Sequence, residues 1–150
     1  MELLFPDNYI PGTSERMLLY RELDNIENDE QLDIYKTSLI DRFGKLPRES
    51  RELLDVVRLR WKAIDLSMEK IILKNKKMIC YFVSDQKSSF YQSPGFIKIV
   101  QYIQKGSNKG QMKEAKGKLT LSFSNVPNVE TADYILRKII DETQSYETSN

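Results

Sequence analysis

The spacing of apolar residues changes from a helical period to a strand period near residue 67, and this change limits the possible folds more than any other feature. One early segment carries an apolar stripe at intervals of three or four residues: Leu32, Tyr35, Leu39 and Phe43. Further on, β-rich runs at 70–73 and 78–83 flank a polar turn, which predicts a hairpin. Strict alternation over 119–124 predicts a third strand. The chain therefore belongs to neither the all-helical nor the all-strand class.

Capping residues predict the limits of the helices. We expect three N-terminal helices, over about 13–26, 29–43 and 47–66, because Gly44 has the position of a helix stop and Pro47 that of a helix start. The apolar residues of the third helix predict an inward face of Leu53, Val56, Val57, Trp61 and Ile64. The pair Ser93–Pro94 starts a fourth helix, and Asn128 caps a fifth. Residues 105–117, rich in glycine and lysine, predict a mobile loop.

The predicted fold is α+β. An N-terminal three-helix unit is expected to pack beside a small antiparallel sheet, made of the hairpin and the third strand, with two further helices. The length of 150 residues suits one domain over 1–150. We expect residues 1–8 and 143–150 to fray.

Composition excludes several classes of chemistry. The chain has no histidine and a single cysteine, Cys80, which removes histidine bases, histidine metal ligands, internal disulfides and multi-cysteine metal sites. No glycine-rich phosphate loop precedes a Lys-Ser or Lys-Thr pair. We therefore expect no catalytic residue, no cofactor and no metal, and we expect Cys80 to be a buried structural thiol. No apolar run approaches the ~20 residues that span a bilayer, so we expect no membrane partner. The single thiol fits a reduced setting, so we expect a cytoplasmic chain.

Charge is unevenly distributed along the chain. Residues 68–127 hold 3 acidic and 11 basic side chains, and every basic one is lysine. One interpretation is a nucleic-acid-binding module, with stacking by Tyr81, Phe82 and Tyr91. Its candidate phosphate contacts are Lys74, Lys76, Lys77, Lys109 and Lys113. The alternative is that these lysines only solvate turns and that the aromatic rings belong to the core.

The end of the second helix contains a local conflict. Asp41 lies off the apolar stripe and near a helix C-terminus, where a negative charge opposes the helix dipole by about 0.3–1 kcal/mol. Arg42, beside it, agrees with the dipole. Either Asp41 pairs inside the domain with Arg48 or Arg51, or it meets a partner outside it.

These residues also carry a family resemblance. The segments that carry it are Tyr9-Ile10-Pro11, Glu15-Arg16, Leu19-Tyr20, Leu39 to Pro47, Leu53-Leu54 and Leu59-Arg60 with Ala63. Together they resemble the C-terminal domain of the bacterial transcription-repair coupling factor, over roughly residues 6–140. The most specific piece is the Asp-Arg-Phe-Gly-x-Leu-Pro junction at 41–47.

The resemblance implies a function. The family's full protein is an ATP-driven DNA translocase that displaces stalled RNA polymerase and recruits UvrA, and its motor motifs are absent from this chain. The resemblance therefore implies a non-catalytic, autoinhibitory interaction domain that docks on the UvrB-like N-terminal module of the same polypeptide and masks the UvrA-binding surface. It places the partner interface at Ser38, Asp41 and Arg42, with serine at 38 where the family often has glutamate. Contacts with RNA polymerase and DNA would run through the parent protein.

Overall fold

The α+β prediction is confirmed by a computed structural model, which describes residues 4–85, 87–106 and 109–148. The helices are α1 (Thr13–Asp24), α2 (Asp29–Phe43), α3 (Arg48–Asp65), α4 (Pro94–Gln104) and α5 (Val129–Thr148), and a short 3-10 helix covers Ser89–Gln92. The strands are β1 (Met68–Lys74), β2 (Lys77–Phe82), β3 (Gln111–Ala115) and β4 (Lys118–Ser124).

The chain divides into two compact units. An N-terminal unit covers 1–61 and a C-terminal unit covers 62–150. Helix α3 continues through the boundary between them. That residues 1–150 form a single domain stays a prediction.

The N-terminal unit is built around the predicted apolar stripes of α1 and α2. Leu19 and Leu23 of α1 are buried, and so are Leu32, Tyr35 and Leu39 of α2. Buried residues outside these two helices complete the core: Phe5, Tyr9, Ile10, Leu46, Leu54 and Val57. The Tyr35 hydroxyl donates a hydrogen bond to the Leu19 carbonyl over 2.7 Å, which ties the two helices together inside the core.

The predicted helix ends are formed by the expected residues. The Asn28 side chain accepts a hydrogen bond from the Gln31 N–H and so caps α2. Gly44 ends the helix at φ 90° and ψ −166°, a combination that is essentially limited to glycine. Its carbonyl accepts a hydrogen bond from the Tyr9 hydroxyl at 2.7 Å.

The inward face predicted for α3 is wrong at one position. Val57 is buried and Trp61 is half-buried, but Ile64 is 67% exposed. The last turns of the helix bury Ala63 and Leu66 instead. A single straight stripe does not describe α3, because the helix supplies buried residues to both units and its buried face changes along its length.

The sheet has four antiparallel strands in the order β1-β2-β4-β3. The predicted mobile loop at 105–117 is wrong for its second half, since Gln111–Ala115 forms the edge strand β3 beside β4. Only Met112 of this strand is even half-buried, so its sequence lacks the apolar alternation that identifies strands. The turn that follows places Lys116 at φ 52° and Gly117 at φ 74°, the pattern of a type I′ hairpin.

One face of the sheet is buried. It carries Met78, Cys80, Phe82, Leu121 and Phe123. The Phe82 ring lies 5.8 Å from that of Phe90 in the 3-10 helix and 6.2 Å from that of Phe96 in α4. The Cys80 thiol is fully buried, as predicted, and burial raises its pKa to about 12.

That residues 1–8 and 143–150 fray stays a prediction, and the structure gives the arrangement of the parts of these ends that it describes. Helix α5 continues to Thr148, and Thr143 is 2% exposed. Near the other end, Phe5 is also 2% exposed. Residues 1–3 and 149–150 lie outside the described residues.

No helix within the described ranges has the length and apolar character needed to cross a bilayer.

Candidate functional site

The three residues predicted as a partner interface lie together on the exposed side of α2. Ser38, Asp41 and Arg42 follow one another at helical intervals of three and one, and all three are exposed. The same helix directs Leu39 into the core, so the position of these side chains is fixed by the packing of the stripe behind them.

Asp41 forms no ion pair with any residue in the described parts of the chain. The predicted internal partners are not available to it: Arg48 pairs instead with Glu52, with Nε 3.2 Å from Oε1, and no ion pair joins Arg51 to Asp41 in the same described ranges. The internal explanation for the unfavourable position of Asp41 is therefore wrong. Its carboxylate remains free for an external partner.

Arg42, in contrast, is held in place. Its guanidinium donates a hydrogen bond to the carboxylate of Glu15 on α1, and it lies 4.8 Å from the centroid of the Phe43 ring. Both charged groups of the ion pair remain partly exposed. Sequence reasoning missed this role of Glu15, because the two residues are 27 positions apart and nothing local relates them.

Exposed apolar side chains lie on the same helices. Ile34 of α2 is 66% exposed and Leu18 of α1 is 57% exposed. Ile34 precedes Ser38 by one helical turn and Asp41 by two, so the three residues share a face of α2. We call Ile34, Ser38, Asp41 and Arg42 the α2 surface. The signal for Ile34 was available in the sequence, since it lies off the apolar stripe.

Asp29 and Asp33, near the start of α2, are neutralised within the N-terminal unit. Arg58 of α3 contacts three carboxylates: Asp29 at 2.7 Å, Asp33 at 3.6 Å and Asp55 at 3.5 Å. Its hydrogen bond to Asp29 is the main cause of a raised Arg58 pKa. These carboxylates therefore have a structural role as partners of one arginine. Within the described ranges, no group of three or more acidic or cysteine side chains is arranged to hold a metal ion.

A second surface lies on the face of the sheet opposite Cys80, which we call the open face. Strand register places on it Lys70, Ile72, Lys74, Lys77, Ile79, Tyr81, Gln111, Lys113, Ala115, Lys118, Thr120, Ser122 and Ser124. Lys74 and Lys77 are directly opposite each other. A second row runs from Lys70 through Tyr81 and Thr120 to Lys113. A shallow recess of about 840 Å³ lies over β2, β4 and β3.

The residues predicted to contact nucleic acid do not all lie on the same surface. Lys74, Lys77 and Lys113 lie on the open face, Lys76 lies in the β1–β2 turn at φ 58°, and Lys109 precedes β3. Of the predicted stacking residues, only Tyr81 lies on the open face.

The other two predicted stacking rings are engaged elsewhere, so the prediction of a three-ring platform is wrong. Phe82 is buried on the opposite side of the sheet. Tyr91 packs edge-on against Phe90 and Phe96, and its hydroxyl donates a hydrogen bond to the Val83 carbonyl.

The fold and these surfaces define an α+β domain with an exposed charged helix face and a lysine-rich sheet face. The TRCF domain family model matches residues 1–93, and the chain belongs to this family. A transcription-repair-coupling factor of Escherichia coli is 39% identical over 71 residues, covering 47% of this chain and 6% of the relative. One from Borreliella burgdorferi is 27% identical over 135 residues, covering 89% of this chain and 12% of the relative.

Solved structures show the same fold. The crystal structure of the C-terminal domain of a transcription-repair coupling factor superposes with a TM-score of 0.72 and 20% identity, covering 97% of this chain and 91% of the other. The chain spans about a tenth of the length of the curated relatives it matches.

Proposed function

We propose that this chain is a regulatory domain of a transcription-repair coupling factor and acts in transcription-coupled repair through protein contacts. In this proposal, the α2 surface docks on the UvrB-like N-terminal module of the same polypeptide and masks the surface that UvrA binds. The domain itself is non-catalytic and requires no cofactor. Contacts with RNA polymerase belong to the rest of the parent protein.

The observation that carries the proposal is the unpaired carboxylate of Asp41. It occupies an unfavourable position at the end of α2, and no basic side chain in the described ranges neutralises it. A cationic group on a docked partner would neutralise this carboxylate. Docking would therefore explain the presence of a charge that destabilises the isolated helix.

Arg42 supports the same proposal through its fixed orientation. The ion pair with Glu15 holds the guanidinium before any partner arrives, so less side-chain entropy is lost on docking. Ile34 adds apolar area beside the charges, since two-thirds of its surface is accessible. A charged surface with a small apolar component suits a reversible contact within one chain, because separating it exposes little apolar area.

The test is a binding measurement in trans. The chain is titrated with a separately produced UvrB-like N-terminal module, and the variant Asp41→Arg is expected to weaken the complex by at least tenfold, because it removes the attraction and introduces repulsion. The matched control is Asp65→Arg, which reverses another exposed carboxylate at the end of α3. Asp65→Arg should leave the affinity unchanged.

A competition experiment addresses masking. Increasing concentrations of the wild-type chain should displace UvrA from the N-terminal module, and Asp41→Arg should displace it at least tenfold less effectively. Equal displacement by Asp41→Arg and Asp65→Arg would exclude the α2 surface as the mask.

A further inference from the structure

We infer that the open face of the sheet is a binding surface for single-stranded DNA, which it holds through the phosphates and through one base stacked on Tyr81. This site is separate from the α2 surface and does not depend on the docking function proposed for it.

The charge on the open face is unusual. Lysines 70, 74, 77, 113 and 118 lie on it, Lys116 lines its recess, and none of the residues that the register pairs on this face is acidic. Glu69, at the irregularity between Met68 and Lys70, accepts a hydrogen bond from Ser84. None of these six lysines forms a salt bridge within the described ranges of the chain. Lys74 and Lys77 are direct cross-strand partners, a like-charge arrangement that destabilises a sheet. A polyanion bound across the face would remove that repulsion.

Protection of sheet edges does not account for all of these lysines. Lysine on an edge strand prevents pairing with other chains, and Lys70, Lys74 and Lys113 lie on the edge strands β1 and β3. Lys77 and Lys118, however, belong to the central strands β2 and β4. The charge therefore extends across the whole face.

The type of basic residue indicates contacts with phosphates. Lysine is a point charge with rotatable donors, whereas arginine makes the bidentate contacts that read guanine. With lysine as the basic residue throughout the open face, the expected binding is independent of base sequence.

The centre of the face favours a single strand over a duplex. Tyr81 is half-buried at the middle of a row that ends in lysines on both sides, and Lys70 Nζ lies 5.6 Å from its ring centroid. A duplex presents only its backbone to such a shallow surface, whereas an unpaired base can stack on an accessible ring. Ile79, beside Tyr81 in the recess, extends the apolar floor.

The hydroxyl groups of the face favour DNA over RNA. Thr120 Oγ1 donates a hydrogen bond to the Lys113 carbonyl, and Ser122 Oγ donates one to the Gln111 carbonyl. Because both hydroxyl protons are donated inside the sheet, neither side chain is a free donor to a ribose 2′-hydroxyl, the group that distinguishes RNA.

The experiment measures fluorescence anisotropy of a labelled 12-nucleotide oligothymidine titrated with the whole chain at several salt concentrations. Four phosphate contacts predict a slope of about −3 in log affinity against log salt, since a single strand contributes about −0.7 per contact. The double variant Lys77→Glu, Lys113→Glu should bind at least tenfold more weakly and show a smaller slope. The control, Lys36→Glu with Lys138→Glu, makes the same change in net charge at exposed positions on α2 and α5 and should bind like the wild type.

Further comparisons of variants and ligands complete the test. Tyr81→Leu should weaken binding of the oligothymidine about tenfold and leave binding of a duplex unchanged. Duplex DNA, or RNA of the same length, binding as tightly as the single strand would overturn the assignment. Equal effects of the two lysine double variants, no salt-dependent binding, or equal affinity for polyglutamate would also overturn it.

Discussion

Two tyrosine hydroxyls connect the helices of the N-terminal unit through backbone carbonyls. Tyr35 donates to Leu19 and Tyr9 donates to Gly44, each over 2.7 Å. Burial is the main cause of a raised pKa at both tyrosines, and at Tyr35 the negative charge of Glu22 adds to it. Both residues are therefore neutral donors in the folded state.

The Tyr35 pKa predicts a loss of stability in alkali. An unfolded tyrosine ionises near pH 10, so above about that pH the unfolded chain releases a proton that the folded chain retains, and the free energy of unfolding falls as pH rises. Tyr35→Phe should cost about 0.5–1.5 kcal/mol at pH 7, because it removes the buried hydrogen bond from the tyrosine hydroxyl to the Leu19 carbonyl. Above pH 10, the free energy of unfolding of this variant should also fall less steeply with pH than that of the wild type.

Urea unfolding between pH 7 and pH 11 measures both effects. Tyr134→Phe is the matched control, since this side chain is 58% exposed. It should change neither the stability at pH 7 nor the alkaline slope. A Tyr35→Phe curve parallel to the wild type above pH 10 would show that Tyr35 does not contribute to the slope.

At the level of elements, the junction from α2 to α3 depends on one backbone conformation. A Cβ at Gly44 would have no heavy atom within 4 Å, so space does not exclude a larger residue there. The backbone conformation excludes a larger residue, because φ 90° with ψ −166° is strained for any L side chain.

Gly44→Ala should therefore destabilise the chain by about 1–3 kcal/mol. The control is Gly95→Ala in the first turn of α4, where the new methyl group meets only Ser93 Oγ at 3.8 Å. Gly95→Ala should be neutral or stabilise by up to about 1 kcal/mol, since it restricts the unfolded chain. Thermal unfolding of the two variants compares them, and equal melting temperatures would contradict this account of Gly44.

The sequence predicted those elements whose signals are local. Caps such as Asn28 and stops such as Gly44 act within a few residues, so α1 and α2 were placed closely. Strand β3 is stabilised by pairing with β4 and carries little apolar alternation, and it was missed. The candidate interface followed the same rule: the exposure of Asp41 could be predicted from helical spacing, whereas its missing partner and the Glu15 contact of Arg42 required the tertiary structure.

For the whole molecule, two natural probes report on different units. Trp61, the only tryptophan, donates a hydrogen bond from its indole to the Ile26 carbonyl in the N-terminal unit. Cys80, the only cysteine, is buried in the sheet of the C-terminal unit. Each unit therefore has its own spectroscopic or chemical signal.

We expect the two signals to change together on unfolding, because α3 is continuous through the boundary and helix formation is cooperative. Trp61 fluorescence and Cys80 thiol labelling, measured along one urea titration, should give the same midpoint. The calorimetric and van't Hoff enthalpies should also agree. Two separated midpoints would show two independently folding units.

The continuity of α3 also determines where the chain can be cut. In an α-helix, the N–H groups of residues 62–65 bond to the carbonyls of residues 58–61. Residues 61 and 62 both lie inside α3, away from either end of the helix. A cut at this point would remove the helical hydrogen-bond partners of backbone groups on both sides and create two new helix ends without caps. A peptide bond outside Arg48–Asp65 is therefore the better place to divide the chain for expression of its parts.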